Sequence, residues 1–90
     1  STSGIPKMIK KMADDKVKFD LAVSLHSARQ EVREKIMPFA NKFPLNNLSK
    51  SLAYWHQYTK KQITFEYVIW EGVNDKKEDI KALINFCKLI

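Results

Sequence analysis

The 90-residue sequence contains few of the residues that build cross-linked or low-complexity proteins. Its one cysteine, Cys87, cannot form an internal disulfide and cannot by itself hold zinc or an iron–sulfur cluster. Two glycines and three prolines exclude a linker-like or collagen-like chain. No apolar run approaches the roughly 20 residues that span a bilayer, and no signal-peptide pattern is present. We therefore expect one small cytoplasmic domain with no membrane partner, since a lone thiol is typical of a reducing compartment.

Positive charge is present in excess. Sixteen lysines and arginines against ten acidic residues give a net charge of +6. A basic balance favours polyanionic partners such as RNA, although an ordinary basic surface gives the same count and no arginine-rich stripe is present. The pairs Lys60-Lys61 and Lys76-Lys77 could contact RNA phosphates or could be solvated surface. One interpretation is therefore a stand-alone basic RNA-binding or adaptor module.

Two segments alternate with the period of a half-buried strand. The first, residues 19–25, places these apolar side chains on one face: Phe19, Leu21, Val23 and Leu25. The second, residues 63–69, does so with Ile63, Phe65, Tyr67 and Ile69. The opposite faces carry small or polar residues, among them Ser24 and Glu66. Each predicted strand thus has one apolar and one polar face.

Helical spacing of apolar residues predicts four helices around these strands. Pro6 suits the first turn of the first helix. Ser27 and Gln30 match a capping box for a second helix that ends before Pro38. A third helix is expected to begin near Pro44.

The last predicted helix follows the loop after the second strand. Asp75 and Glu78 are its predicted caps. Its predicted buried stripe is Ile80, Leu83, Ile84 and Cys87.

Strands that alternate with helices favour a parallel sheet with right-handed crossovers. Helices on both faces of a sheet would require near-continuous apolar strands. One apolar and one polar face suit a barrel wall instead, with helices outside and a functional lumen inside. Because a full barrel needs about eight strands, we expect residues 1–90 to be an α/β segment of a larger (β/α) barrel. Its uncovered strand edges predict self-association of the fragment.

Several strings, in this order and spacing, match a known family: Ser1-Thr2-Ser3-Gly4, Leu21–His26, Arg33–Pro38, Phe65–Val68 and Val73–Asp75. They resemble the radical S-adenosylmethionine (SAM) RNA methyltransferases of the RlmN and Cfr type, which methylate carbon 2 of adenine in 23S rRNA and tRNA. The resemblance implies that the chain is part of the catalytic barrel of an enzyme whose partners are 23S rRNA and tRNA. A segment of another barrel enzyme is an alternative.

The resemblance also implies site residues. It implies that Ser1, Ser24, Leu25 and His26 contact SAM. It implies a [4Fe–4S] cluster in the parent protein, but the Cys-x-x-x-Cys-x-x-Cys motif that binds it is absent from these 90 residues. The family's two other functional cysteines are also absent, and Cys87 matches neither. We therefore expect no catalytic residue and no metal ligand here, and an isolated fragment that is inactive.

Taken without the resemblance, the same residues leave alternatives open. His26 could contact a cofactor, act as a base or bind a metal, or could only bond the backbone of a turn between strand and helix. Ser24 could bind a ligand or be a small lumen-facing residue. Glu66 could orient a ligand or pair with a basic residue of the barrel interior. Asn74 and Asp75 are expected to cap the last helix.

Overall fold

Two short parallel strands form where the sequence alternates. The computed structural model describes Thr2, residues 4–15, Lys18 and residues 20–90, with β1 at Leu21–Ser24 and β2 at Ile63–Glu66. The two strands pair in register from Leu21 opposite Ile63 to Ser24 opposite Glu66. Thr2 forms a further parallel bridge with Val23, on the other edge of β1. The predicted α/β fold with parallel strands is therefore confirmed.

The strands are shorter than predicted for a local reason. His26 adopts a left-handed backbone conformation with φ of 59°, which ends the extended course of the first strand. Because β2 pairs only where β1 is extended, its paired part ends at Glu66, and residues 67–69 are not part of the strand. Phe19, the predicted first residue of the first strand, lies outside the described residues.

Four α-helices lie among the described residues, in the predicted order. They are α1 (Pro6–Asp14), α2 (Gln30–Ile36), α3 (Leu45–Thr59) and α4 (Lys77–Lys88). A 3-10 helix, Pro38–Lys42, connects α2 to α3. Pro6 occupies the first turn of α1, and Pro44 precedes α3, both as predicted. No helix in the described part of the chain is both long and apolar enough to cross a membrane.

One face of the sheet is covered by helices. Its core combines α1, β1, α3 and α4 through the side chains of Ile9, Ala13, Leu21, Val23, Leu25, Leu48, Leu52, Trp55 and Phe86. Phe65 of β2 packs against this core, with its ring edge-on to Phe86 at 5.8 Å. The opposite face carries Ala22, Ser24, Thr64 and Glu66, none of which is buried. This open face confirms the predicted polar side of a barrel wall.

The buried side of α4 agrees with the predicted stripe only at Leu83, which packs against the core. Ile80, Ile84 and Cys87 are exposed, whereas Asp79 and Phe86 are buried. Asp79 Oδ2 accepts a hydrogen bond from the Lys76 N–H at 3.0 Å, so Asp79 caps the helix start instead of Asp75 or Glu78. The prediction was wrong because it assumed that apolar side chains alone would be buried.

The predicted capping box of α2 is also wrong. The helix begins one residue after Arg29, and Ser27 Oγ accepts the Arg29 N–H at 3.0 Å, outside the helix. Gln30 Oε1 instead accepts the Leu45 N–H at 2.9 Å, and its Nε2 donates to the Ala40 carbonyl at 3.2 Å. Gln30 therefore ties α2 to the start of α3, a long-range contact that a four-residue pattern does not reveal.

Candidate functional site

Polar groups meet at the edge where both strands end. The carboxyl ends of parallel strands are where α/β proteins hold ligands. Ser24 closes β1 and Glu66 closes β2, and Ser24 Oγ donates a hydrogen bond to Glu66 Oε1 at 3.1 Å. Both side chains lie on the open face of the sheet. The strand ends therefore present a hydroxyl and a carboxylate side by side.

His26 follows in a backbone conformation that is uncommon for a residue with a side chain. A non-glycine residue at φ of 59° stores strain, which persists only where the surroundings hold it. The His26 N–H donates to the Glu66 carbonyl at 3.2 Å, and its ring lies edge-on to Trp70 at 5.7 Å. His26 Nδ1 accepts the Val68 N–H at 3.0 Å. The turn after β1 is thus fixed to the segment after β2.

This last hydrogen bond determines the state of the imidazole. With Nδ1 in the acceptor role, Nε2 is the ring atom that can donate a hydrogen bond. Nε2 forms no hydrogen bond with any described residue. The structure therefore shows the backbone-bonding role for Nδ1 and leaves the Nε2–H group as a donor for a ligand.

Asn74 connects both strand ends to the loop that follows β2. Its buried side chain donates from Nδ2 to the carbonyls of His26 at 2.7 Å and Val68 at 2.8 Å. Its Oδ1 accepts the Trp70 N–H at 2.8 Å. The predicted helix-capping role of Asn74 is wrong, because all three of these contacts are to the strand ends and the loop. Asp75 likewise accepts the Gly72 N–H at 2.9 Å instead of capping α4.

The backbone of Asn74 is held as well. Tyr67 donates its hydroxyl to the Asn74 carbonyl at 2.6 Å. Burial raises the pKa of Tyr67 above its ordinary value, with smaller contributions from Asp79 and Asp75. The phenol therefore stays a protonated donor at neutral pH.

Arg33 holds the turn after β1 from the helical side. Its guanidinium is buried, and Nε donates to the Leu25 carbonyl at 3.2 Å while Nη2 donates to the Ser24 carbonyl at 3.4 Å. Burial lowers the pKa of Arg33 from its ordinary value. Gly4 has φ of 88°, and a Cβ added there would lie 2.9 Å from Arg33 Nη2. The absence of a side chain at Gly4 therefore leaves room for the arginine.

Sequence reasoning placed Arg33 only in a family string and gave it no role. Arg33 is the fourth of the seven residues of α2, and this position does not predict burial of a charged side chain. Its carbonyl partners come from the preceding turn, whose left-handed course is not visible in the pattern of apolar residues. Residue type alone therefore did not identify it.

The structure brings three of the four predicted SAM contacts to the strand ends. Ser24 and His26 are partly exposed there. Leu25 is fully buried, its N–H donates to the Glu66 carbonyl at 3.0 Å, and its carbonyl accepts the Ser27 N–H at 2.7 Å, so the structure shows no exposed Leu25 group for the predicted contact. Ser1 lies outside the described residues. No group of His, Cys, Asp or Glu side chains suited to a metal ion occurs in the part of the chain that the structure describes.

Comparison with known proteins adds a strong sequence similarity. The chain is 64% identical over 88 residues to the probable dual-specificity RNA methyltransferase RlmN of Flavobacterium psychrophilum, covering 98% of this chain and 25% of that protein. It is 61% identical over 90 residues to the protein of the same name from Flavobacterium johnsoniae, covering 26% of it. This chain thus spans about a quarter of the length of the curated relatives it matches. No protein-family model matches the chain.

A solved structure agrees in fold. The crystal structure of a radical SAM methyltransferase from Sphaerobacter thermophilus matches 97% of this chain with a TM-score of 0.90 and 29% sequence identity, over 26% of its own length. The predicted resemblance to radical SAM RNA methyltransferases of the RlmN type is therefore confirmed over essentially the whole chain, as is its partial extent.

Proposed function

We propose that residues 1–90 are a segment of a radical SAM RNA methyltransferase that methylates carbon 2 of adenine in 23S rRNA and tRNA. In that protein they form part of the catalytic barrel and supply part of its SAM-binding wall. The observation that carries this proposal is the 64% identity to an RlmN protein over 98% of the chain. The fold match to a radical SAM methyltransferase supports it.

The donor set at the strand ends fits the polar parts of SAM. Ser24 Oγ can donate and accept, Glu66 accepts hydrogen bonds from hydroxyl or ammonium groups, and His26 Nε2 donates. Ser1 joins these residues on the basis of the family resemblance. When bound, SAM supplies the methyl group and the radical precursor. The task of this chain's own residues is to bind and orient that molecule.

The held turn gives this wall its rigidity. Arg33, Asn74 and the Val68 N–H each fix one group of the turn between Ser24 and His26. A site held by buried hydrogen bonds keeps its geometry without ordering its side chains at the moment of binding. We therefore assign Arg33 and Asn74 as positioning residues, which act through the turn.

These residues do not fit an iron–sulfur cluster. Such a cluster requires several cysteine thiolates, and Cys87 is a single cysteine on the exposed side of α4. The cluster ligands of the proposed enzyme are therefore not among these 90 residues. We assign no catalytic step to any side chain described here.

The proposed setting follows from the substrate and from composition. An enzyme that modifies rRNA and tRNA acts in the cytoplasm, where a lone thiol such as Cys87 stays reduced. The partners are RNA molecules and not membranes. As a separate polypeptide, the segment associates with itself through its uncovered strand edge.

A chimaeric enzyme tests the proposal. This chain replaces the matching 88 residues of the Flavobacterium psychrophilum relative, and the chimaera is expressed in a strain without its own adenine-C2 methyltransferase. We expect 2-methyladenosine in 23S rRNA and tRNA, measured by mass spectrometry of nucleosides. A chimaera that assembles its iron–sulfur chromophore but leaves both RNAs unmethylated would overturn the proposal.

A binding measurement tests the wall separately from activity. In the chimaera, Ser24→Ala removes a hydroxyl from the open face and is expected to weaken SAM binding about tenfold, measured by anaerobic calorimetry. The matched control is Ser51→Ala, whose hydroxyl bonds the Leu48 carbonyl within α3. Equal SAM affinity for the two variants would remove Ser24 from the site.

A further inference from the structure

A lysine-lined groove lies in the helical layer. The groove, about 520 Å³ in volume, runs between α1 and α3. Its lining includes Lys7, Lys10, Asn47, Lys50, Ser51 and Tyr54. Since α1 and α3 pack on the face of β1 opposite Ser24, this groove is separate from the strand-end site. None of the roles assigned above uses it.

The groove has charge of one sign. Three of its lining residues are lysines, and none of its lining residues is acidic. Lys7, Lys10 and Lys50 are exposed, and none of them forms an ion pair with a described residue, whereas the neighbouring Lys11 is paired with Asp15 at 3.8 Å. Three like charges around one concavity raise the local concentration of anions.

One carboxylate lies at the edge of the groove. Asp14 at the end of α1 accepts a hydrogen bond from the Tyr54 hydroxyl, at the edge of the groove. The Lys10 ammonium lies 5.5 Å from the centre of the Tyr54 ring, a cation–π distance. The Asp14 carboxylate keeps its negative charge at this edge, so it offsets one of the three positive charges and leaves the groove with an excess of cations.

Aromatic surface adjoins the charge. The Tyr54 ring lies 4.4 Å from that of Tyr58, which is 54% exposed. Proteins that bind single-stranded nucleic acid combine cations along the phosphate backbone with aromatic rings on which bases stack. Lysines beside exposed aromatic rings therefore favour a nucleic acid over a peptide that offers negative charge alone.

We propose that the groove between α1 and α3 binds the phosphates of a single-stranded or looped RNA segment, with Tyr54 and Tyr58 beside it as a stacking surface. The choice of RNA as the polyanion rests on the proposed function. The charge, the groove and the tyrosines do not depend on it. The contact is a docking surface for RNA away from the strand ends, and it needs neither SAM nor a cluster.

A second lysine-lined depression supplies a matched control. It is bounded by Lys76, Lys77, Glu78 and Lys81, so it contains a carboxylate that the α1–α3 groove lacks. The triple variant Lys7→Gln/Lys10→Gln/Lys50→Gln removes three positive charges and so lowers the net charge from +6 to +3. Lys77→Gln/Lys81→Gln/Lys88→Gln on α4 lowers it by the same amount. The comparison therefore separates position from total charge.

The measurement is fluorescence anisotropy of a labelled single-stranded RNA titrated with the 90-residue chain over a range of potassium chloride concentrations. We expect the groove variant to bind about tenfold more weakly at low salt, because each lost phosphate contact removes counterion release. Its slope of log K against log salt should be shallower by about 2, from roughly 0.7 for each of three contacts. The α4 variant should differ less than about threefold from the unmodified chain.

Several results would overturn the docking proposal. These are equal losses in the two triple variants, a larger loss in the α4 variant, or no RNA binding by a chain whose circular dichroism shows folded helices. Competition by polyglutamate as effective as by RNA would assign the groove to acidic protein instead. Because the assay contains no SAM, an inactive chimaera would overturn the proposed function without touching this result. Likewise, a 90-residue chain that does not bind RNA would overturn the docking proposal, while methylation by the chimaera would still support the proposed function.

Discussion

At the scale of single residues, Asn74 carries more of the site than its place in a loop suggests. Its side chain bonds three backbone groups, and one of them, the His26 carbonyl, is 48 residues away in sequence. Local rules predicted a cap for a neighbouring helix, because asparagine before a helix usually has that role. Asn74 instead bonds the His26 carbonyl, and no sequence pattern within the loop predicts that long-range contact.

Replacing Asn74 with alanine should therefore destabilise the fold strongly. The carbonyls of His26 and Val68 and the Trp70 N–H would lose their partner in a buried place. We expect the free energy of unfolding to fall by about 2–4 kcal/mol, measured by urea denaturation followed by circular dichroism. The control, Asn85→Ala, changes an exposed asparagine of α4 and should stay within about 0.5 kcal/mol. Equal losses would show that Asn74 does not hold the turn.

At the scale of elements, the sequence predicted which helices and strands form, and in what order, better than it predicted which face of each helix is buried. The helix that begins at Pro6 and the buried face of β1 with Leu21 and Val23 were predicted from local periodicity and are confirmed. The orientation of α4 was not, because Asp79 is buried and the isoleucines of its predicted stripe are exposed. Asp79 is buried because it accepts the Lys76 N–H and because a cation from a distant part of the chain lies against it.

The cation is Arg29, and its ion pairs give a matched test. Arg29 Nη1 lies 3.3 Å from Asp79, which is 1% exposed, and 3.5 Å from Glu78, which is 58% exposed. The hydrogen bond with Asp79 is the main cause that raises the pKa of Arg29. We expect Asp79→Asn to lower the free energy of unfolding by about 1–3 kcal/mol, because it leaves the Arg29 charge without its buried partner.

Glu78→Gln removes an ion pair of similar length at the surface and should change stability by less than about 1 kcal/mol. Guanidinium or urea unfolding of the two variants side by side measures the difference. Similar losses for both would mean that the burial of Asp79 has no energetic consequence for α4.

A second contact between elements predicts a pH dependence. The hydrogen bond to Asp14 joins α3 to α1 and is the main cause that raises the pKa of Tyr54 to about 12. An unfolded tyrosine loses its proton near pH 10, so between these values the unfolded chain binds fewer protons than the folded one. The stabilisation is therefore complete below about pH 10 and is lost as the pH rises through about 12.

Ultraviolet titration of phenolate formation measures this directly. Asp14→Asn should move one tyrosine ionisation to lower pH, whereas Asp15→Asn, one residue further on, should leave the titration curve unchanged. An unaltered curve in the Asp14 variant would show that the carboxylate does not control Tyr54 in solution.

At the scale of the molecule, the open sheet explains both what was predictable and what was not. Alternation in two short segments was sufficient to predict a barrel wall with one polar face, because the period-two pattern reports directly which face is buried. The strained turn at His26 was not predictable, because it depends on Glu66, Val68 and Asn74 acting together. The proposed site residues thus rest on position and family strings, whereas their hydrogen-bond network is seen only in the fold.

The same open sheet predicts how the 90 residues behave as a separate polypeptide. Among the described residues no strand pairs with the outer edge of β2, and large apolar side chains are exposed after β2 and on α4, with Ile69 70% and Ile84 51% exposed. An unpaired edge beside an apolar surface favours pairing with a second copy. We expect the sedimentation coefficient to rise with protein concentration.

Charge placed on that surface should suppress the association. Ile69→Lys or Ile84→Lys adds a repulsive group at the proposed interface, so either variant should sediment more nearly as a monomer at the same concentration. Met8→Lys is the control, because Met8 is also 51% exposed but belongs to α1. If the unmodified chain stays monomeric at millimolar concentration, or if all three variants behave alike, the association does not use this edge. If only the Ile69 and Ile84 variants lose the association, the surface around these two residues is the one that we expect the rest of the barrel to cover in the longer protein.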